Sequence, residues 1–161
     1  MILIMMQIDK KMLLNPVHCL SLGFGSGCAP KAPGTMGTLV GVLLYLPMQY
    51  LDWPYYLALL FFLIGAGIWL CGQTANALGV HDHPGIVWDE ITGYLLTMLA
   101  APKGGLWIML GFVLFRLFDI WKPWPIRLLD KQLKGGFGVM ADDLLAAIFS
   151  LTIIQTIAYT L

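Results

Sequence analysis

The chain has 161 residues, no net formal charge, 59% apolar residues and only 11% charged ones. That length suits one domain, and soluble domains carry about 25% charge, so the composition and a mean hydropathy of +0.81 exclude a water-facing globule and fit a membrane protein or a very apolar helical bundle. Balanced charge leaves no electrostatic footprint for nucleic acid, and three scattered cysteines (Cys19, Cys28, Cys71) with no C-x-x-C argue against a disulfide framework or a thiolate zinc site.

Met1–Met6 is apolar, but Lys10 and Lys11 follow it without a small-residue cleavage pattern, so it does not read as a signal peptide. Asp9–Leu14 reads as a short interfacial helix. Gly23–Leu39 (GFGSGCAPKAPGTMGTL) is a glycine-rich loop leading into an apolar helix. Free backbone N–H groups at such a helix start attract anions, and Lys31, Thr35 and Thr38 are candidate phosphate contacts. The loop is neither a P-loop nor G-x-G-x-x-G. The simpler reading makes Thr35 or Thr38 a helix N-cap.

Five apolar stretches predict helices: Leu39–Leu51, Tyr55–Gly72, Ile91–Ala101, Leu106–Phe115 and Leu144–Leu161. The second and fifth, at 18 residues each, approach the ~20 needed to span a bilayer. The first contains Pro47, which predicts a kink or partial insertion. The third extends back to Trp88 and the fourth forward to Trp121 if those segments are helical. Tight turns at residues 52–54 and 102–105 alternate with long polar connectors, as in an up-down bundle. The expected fold is all-α: a single domain over residues 1–161, a compact bundle of about five to six helices, membrane-embedded or membrane-associated. Lys10, Lys11, Lys31, Lys122, Arg127, Lys131 and Lys134 fall on one side of this topology and Lys103 on the other. The basic side is then cytoplasmic.

The charged residues concentrate in Val80–Glu90, Arg116–Lys134 and Asp142–Asp143. Asp89 and Glu90 are expected to open a helix, with Gly93 on the face of Asp89 allowing a neighbouring helix close approach. His81 and His83 flank Asp82; such a tripeptide can bind metal, but in a loop is more often solvated. Arg116, Asp119 and Lys122 share one helix face, and Pro123 ends that helix. Two readings stay open: an ion-pair ladder, or a functional arginine whose charge costs about 2.5–3.5 kcal/mol at mid-membrane unless Asp119 or a phosphate joins it. Asp142 and Asp143 are expected to begin the last helix, above Ala146 and Ala147.

All five carboxylates therefore fall on one side of the topology. Two like charges about 4 Å apart cost ~4 kcal/mol at an effective dielectric of ~20, against a capping gain of ~1 kcal/mol. A hard cation relieves that repulsion, and an all-oxygen ligand set favours Mg²⁺ or Mn²⁺.

Four segments in order, NPVHCLSLGFGSGCAPKAPGTMGTL, VHDHPGIVWDEITGYLLTM, FRLFDIWKPWPI and GGFGVMADDLLAA, resemble the bacterial phosphatidylglycerophosphatase A family from Asn15 to Ala147. The resemblance implies an all-α, Mg²⁺-dependent enzyme of the bacterial inner membrane. Its expected reaction removes the terminal phosphate of phosphatidylglycerophosphate, giving phosphatidylglycerol and phosphate on the cytoplasmic side. The family's acidic positions fall on Asp89, Glu90, Asp119, Asp142 and Asp143. Its glycine/threonine loop falls on Gly34, Thr35, Gly37 and Thr38, and its basic positions on Arg116 and Lys122.

The expected mechanism is attack by a metal-activated water, with Lys31, Arg116 or Lys122 neutralising the phosphate. A second carboxylate, or less readily His81 or His83, orients the water. The chain lacks the D-x-D-x-T and C-x5-R patterns of covalent phosphatases. Two other readings compete: a metal-dependent phosphatidyltransferase, whose D-x2-D-G-x2-A-R pattern is missing, and a small transporter, for which no inverted repeat is visible.

Overall fold

The computed structural model describes residues 8–80 and 83–160. Met1–Met6, His81 and Asp82 lie outside the described residues. Among the described residues there are seven α-helices and two 3-10 turns, with no strand.

Local chemistry explains most boundaries. Asp9 accepts from the Lys11 N–H and starts the 3-10 turn Lys10–Leu14, and Asn15 accepts from the Val17 N–H ahead of α1 (Pro16–Ser21). The glycine-rich turn Gly23–Cys28 leads to α2 (Pro33–Met48), which carries its first proline in its first turn and Pro47 in its last. Proline in the first turn also starts α3 (Trp53–Leu78), which ends on Gly79 at φ 69°. Next come α4 (Trp88–Thr97) and α5 (Gly105–Trp121). Lys122, at φ 44° and followed by Pro123, terminates α5 as the sequence predicts. Then come α6 (Ile126–Gln132) and α7 (Gly135–Thr160).

Each of the five apolar stretches thus becomes one of the longer helices, and α4 and α5 do reach Trp88 and Trp121. One boundary is different. Gly135 starts α7, so Asp142 and Asp143 lie in its third turn and do not open it. The glycines of GGFG read as loop, but Gly136 and Gly138 are buried in the bundle, and burial overrides their weak helix propensity.

Short, buried α4 is the axis of the bundle, packed against α2, α3, α5 and α7. Tyr56 Oη donates to the Leu95 carbonyl at 2.6 Å, and Trp88 Nε1 donates to the Leu63 carbonyl at 3.1 Å, which tie α3 to α4. Gly93 serves the close approach expected of it: a Cβ there would stand 2.7 Å from the Phe115 ring and 3.3 Å from the Asp143 carbonyl oxygen. Ala146 and Ala147 are fully buried one turn below the aspartates.

The up-down topology is visible at the end of the bundle where Lys103 lies 4.8 Å over the Tyr50 ring, joining the α2–α3 turn to the α4–α5 turn. α3 and α7, at 26 residues each, are long and apolar enough to cross a membrane. α4, with 10 residues, rises only ~15 Å, about half of a ~30 Å hydrocarbon core. Not every apolar stretch is a full span. Leu43, Phe61, Phe62, Trp69, Met109 and Val113 point outward from α2, α3 and α5. So many exposed large apolar side chains suit lipid better than water.

Candidate active site

Two helix segments converge at the end of the bundle opposite Lys103. The first turn of α4 brings Asp89 and Glu90. The third turn of α7 brings Asp143, held against α4 by Gly93. One carboxylate oxygen from each of these three residues lies within 4.8 Å of the others. Asp89 and Asp143 are nearly inaccessible, at 7% and 4% exposure. At such separations each ionised pair repels by about 3–4 kcal/mol at an effective dielectric of ~20.

The electrostatic consequence is large. Burial, then the charges of Glu90 and Asp143, push Asp89 well above the usual carboxylate range. Burial likewise pushes Glu90 up to about 7, against the opposing effects of its contact with Asp89 and of the Arg116 charge. Each member of the group also keeps one buried oxygen without a hydrogen-bond partner: Asp89 Oδ1, Glu90 Oε2 and Asp143 Oδ2. Buried polar atoms are normally paired. Three orphaned carboxylate oxygens in one place fit a hard divalent cation, which takes oxygen ligands.

The other two predicted carboxylates lie beside this group, outside its close set. Asp119 accepts from Arg116 Nη1 one turn earlier on α5, and Arg116 Nη1 also lies 3.9 Å from Glu90 Oε1. The costly arginine is therefore compensated by two carboxylates, and its Nε is buried without a partner. Asp142 accepts from Lys122 Nζ at 2.6 Å. A full ladder along Arg116, Asp119 and Lys122 does not form between adjacent turns, because the left-handed backbone at Lys122 leaves the helix and the ammonium reaches Asp142 on α7.

The start of α2 completes the site. A Cβ on Gly34 would overlap Glu90 Oε1 and stand 3.2 Å from Arg116 Nη1. Only a glycine lets α2 come this close. Its N-cap is Ala32, with no side-chain cap, so first-turn amides remain for an anion next to Arg116. Neither threonine is the N-cap. Thr38 is buried and its hydroxyl donates to the Gly34 carbonyl at 2.9 Å, a bond internal to the helix. Thr35 is half-buried beside Gly34, and Lys31 is exposed in the segment before α2.

His83 is buried, and its Nδ1 accepts from the Gly85 N–H at 3.0 Å, bracing the loop that enters α4. His81 lies outside the described residues. Sequence reasoning missed the particular role of Gly34; the GTMGT run carries the signal, but its partner on α4 is distant in sequence.

The chain is similar to known proteins over most of its length. A family model described as Phosphatidylglycerophosphatase A matches residues 19–158. A relative of that name from Escherichia coli strain K12 is 45% identical over 146 residues, covering 90% of this chain and 85% of the relative. Another of that name, from Haemophilus influenzae Rd, is 45% identical over 157 residues, 94% of each chain. A Bacteroides thetaiotaomicron relative with the provisional name phosphatidylinositol-3-phosphatase is 38% identical over 144 residues, 84% of this chain and 89% of its own. No solved structure matches.

Proposed function

The chain belongs to the phosphatidylglycerophosphatase A family, and from that premise we propose how its site works. The protein is a lipid phosphatase: it hydrolyses the terminal phosphomonoester of phosphatidylglycerophosphate to phosphatidylglycerol and inorganic phosphate. The observation that carries the mechanism is the buried convergence of Asp89, Glu90 and Asp143, each with an orphaned oxygen.

These three residues would hold Mg²⁺, or Mn²⁺ in its place. A bound divalent ion supplies Lewis acidity at the phosphoryl oxygen and makes water a stronger nucleophile near neutral pH. Arg116 binds the phosphate with its planar fork, helped by the first-turn amides of α2. Asp119 positions Arg116, as Lys122 positions Asp142. Thr35 is placed to add a hydroxyl at the rim, and Lys31 to attract the anion from outside. An oxygen of the acidic group that the cation leaves unused accepts the proton of the attacking water. Burial of the group excludes bulk water and strengthens each of these interactions. Thr38 acts within α2 and is left out of phosphate binding.

The lipid chains remain in the membrane while the headgroup reaches this end of the bundle. Lysines and arginines crowd the same end, and Lys103 sits at the other. That asymmetry supports a multi-pass protein of the bacterial inner membrane with the site on its cytoplasmic side.

The test is phosphate release from phosphatidylglycerophosphate in mixed micelles, with and without EDTA. Release that stops with EDTA and returns with excess Mg²⁺ is expected. Undiminished release in EDTA would overturn the cation's role, and no release under any condition would overturn the reaction.

A further inference from the structure

Where α5 gives way to α6, Trp121, Lys122, Pro123, Trp124, Arg127 and Leu128 line an open groove of about 760 Å³. Trp121 and Trp124 are 69% and 81% exposed, and Arg127 is exposed as well. Indole rings flanked by cations match the boundary between hydrocarbon and headgroups, where one end of the ring is apolar and the other is wet. The groove lies near the acidic group: Lys122 lines it and donates to Asp142, the sequence neighbour of Asp143.

We propose that this groove is the subsite for the lipid part of the substrate, with Arg127 pairing to its phosphodiester and Trp121 and Trp124 packing on the glycerol and the first acyl carbons. The inference rests on the phosphatase reading and adds what selects the lipid. In phosphatidylglycerophosphate an anionic phosphodiester lies one glycerol away from the phosphate to be removed. A cationic, aromatic groove whose Lys122 reaches Asp142, next in sequence to Asp143, offers the complementary second contact. Phosphate binding at Arg116 then supplies the chemistry, and Arg127 supplies the discrimination against monoesters that lack a phosphodiester.

Kinetics in mixed micelles test this with Arg127→Gln and Trp124→Ala, neither of which touches the acidic group. Each variant is expected to raise KM for phosphatidylglycerophosphate about tenfold and to keep kcat within about twofold. Arg127→Lys should recover part of the loss, because it keeps charge without the fork.

A second arm needs no turnover. In protein carrying Asp143→Asn, brominated phosphatidylglycerol should quench tryptophan fluorescence at a several-fold lower lipid fraction than when Arg127→Gln is added. Unchanged KM in both single variants, with equal quenching, would overturn the subsite. So would an equal loss of quenching with brominated phosphatidylcholine, which would make the groove a general membrane anchor. If wild-type protein released no phosphate while the Arg127-dependent quenching persisted, the phosphatase reading would fall and the lipid site would stand.

Discussion

Asp143→Asn should stabilise the metal-free protein while abolishing its function. Asparagine keeps the shape of the side chain and removes its charge. In the metal-free state, Asp143 contributes repulsion toward Asp89 and Glu90, whose oxygens lie within 4.8 Å of its own. At an effective dielectric of ~20, each fully ionised pair costs about 3–4 kcal/mol. The raised proton affinities of Asp89 and Glu90 show that part of this strain is already relieved by protonation. A net gain of about 1–2 kcal/mol is therefore expected, or about 2–8 °C in apparent Tm for a chain of this size. With Mg²⁺ the order reverses. The wild type gains RT ln(1 + [Mg²⁺]/Kd), about 2.7 kcal/mol at a hundredfold excess over Kd, and the variant gains almost none. Turnover in the variant should fall by at least about 100-fold. Differential scanning fluorimetry in detergent, with EDTA or Mg²⁺, reads both effects. A variant that is less stable in EDTA and keeps the full Mg²⁺-dependent shift would refute the reasoning.

Other perturbations report on separate parts of the site. Arg116→Lys should lower kcat/KM about 10–100-fold with the half-saturating Mg²⁺ concentration nearly unchanged, since an ammonium replaces the fork but not the cation's ligands; a purely altered Mg²⁺ requirement would contradict this. Gly34→Ala should cost activity with only a modest change in melting temperature, because the new Cβ would displace Glu90 and crowd Arg116; full activity would mean that α2 does not form the site wall. Mg²⁺ binding must displace protons from Asp89 and Glu90, so half-saturating Mg²⁺ should fall as pH rises from about 6 to 8. Activity titrations at fixed pH check the sign, and a requirement that rises with pH would contradict it. Cys19→Ser should leave turnover within about twofold, and a large loss in folded protein would point to thiol chemistry.

Much of the fold was legible because long apolar runs leave helix as the economical structure, and proline and glycine mark where runs stop. The charged residues at their ends also pointed to carboxylates, three of which the fold brings within 4.8 Å of one another. What could not be read was their partition. From sequence, Asp142 and Asp143 look equivalent. Their different roles arise because adjacent side chains on a helix point about 100° apart, so Asp143 faces α4 while Asp142 meets Lys122. The direction of Lys122 depends on a left-handed residue before Pro123, and no propensity specifies which helix its ammonium will reach. Gly34 was visible as part of a glycine-rich run. Its reason is the carboxylate of Glu90, a contact across more than fifty residues of chain. The start of α7 was hidden for a related cause: glycines that read as loop are helical because the neighbouring helices press close against them.

The central claim is that Asp89, Glu90 and Asp143 jointly grip one divalent ion beside Arg116. Anomalous diffraction from crystals grown with Mn²⁺ measures this most directly. The account predicts a peak at about 2.1–2.2 Å from an oxygen of each of the three carboxylates, lost in Asp143→Asn crystals. A clear Mn²⁺ peak elsewhere in the protein, with these three side chains still unligated, would contradict it.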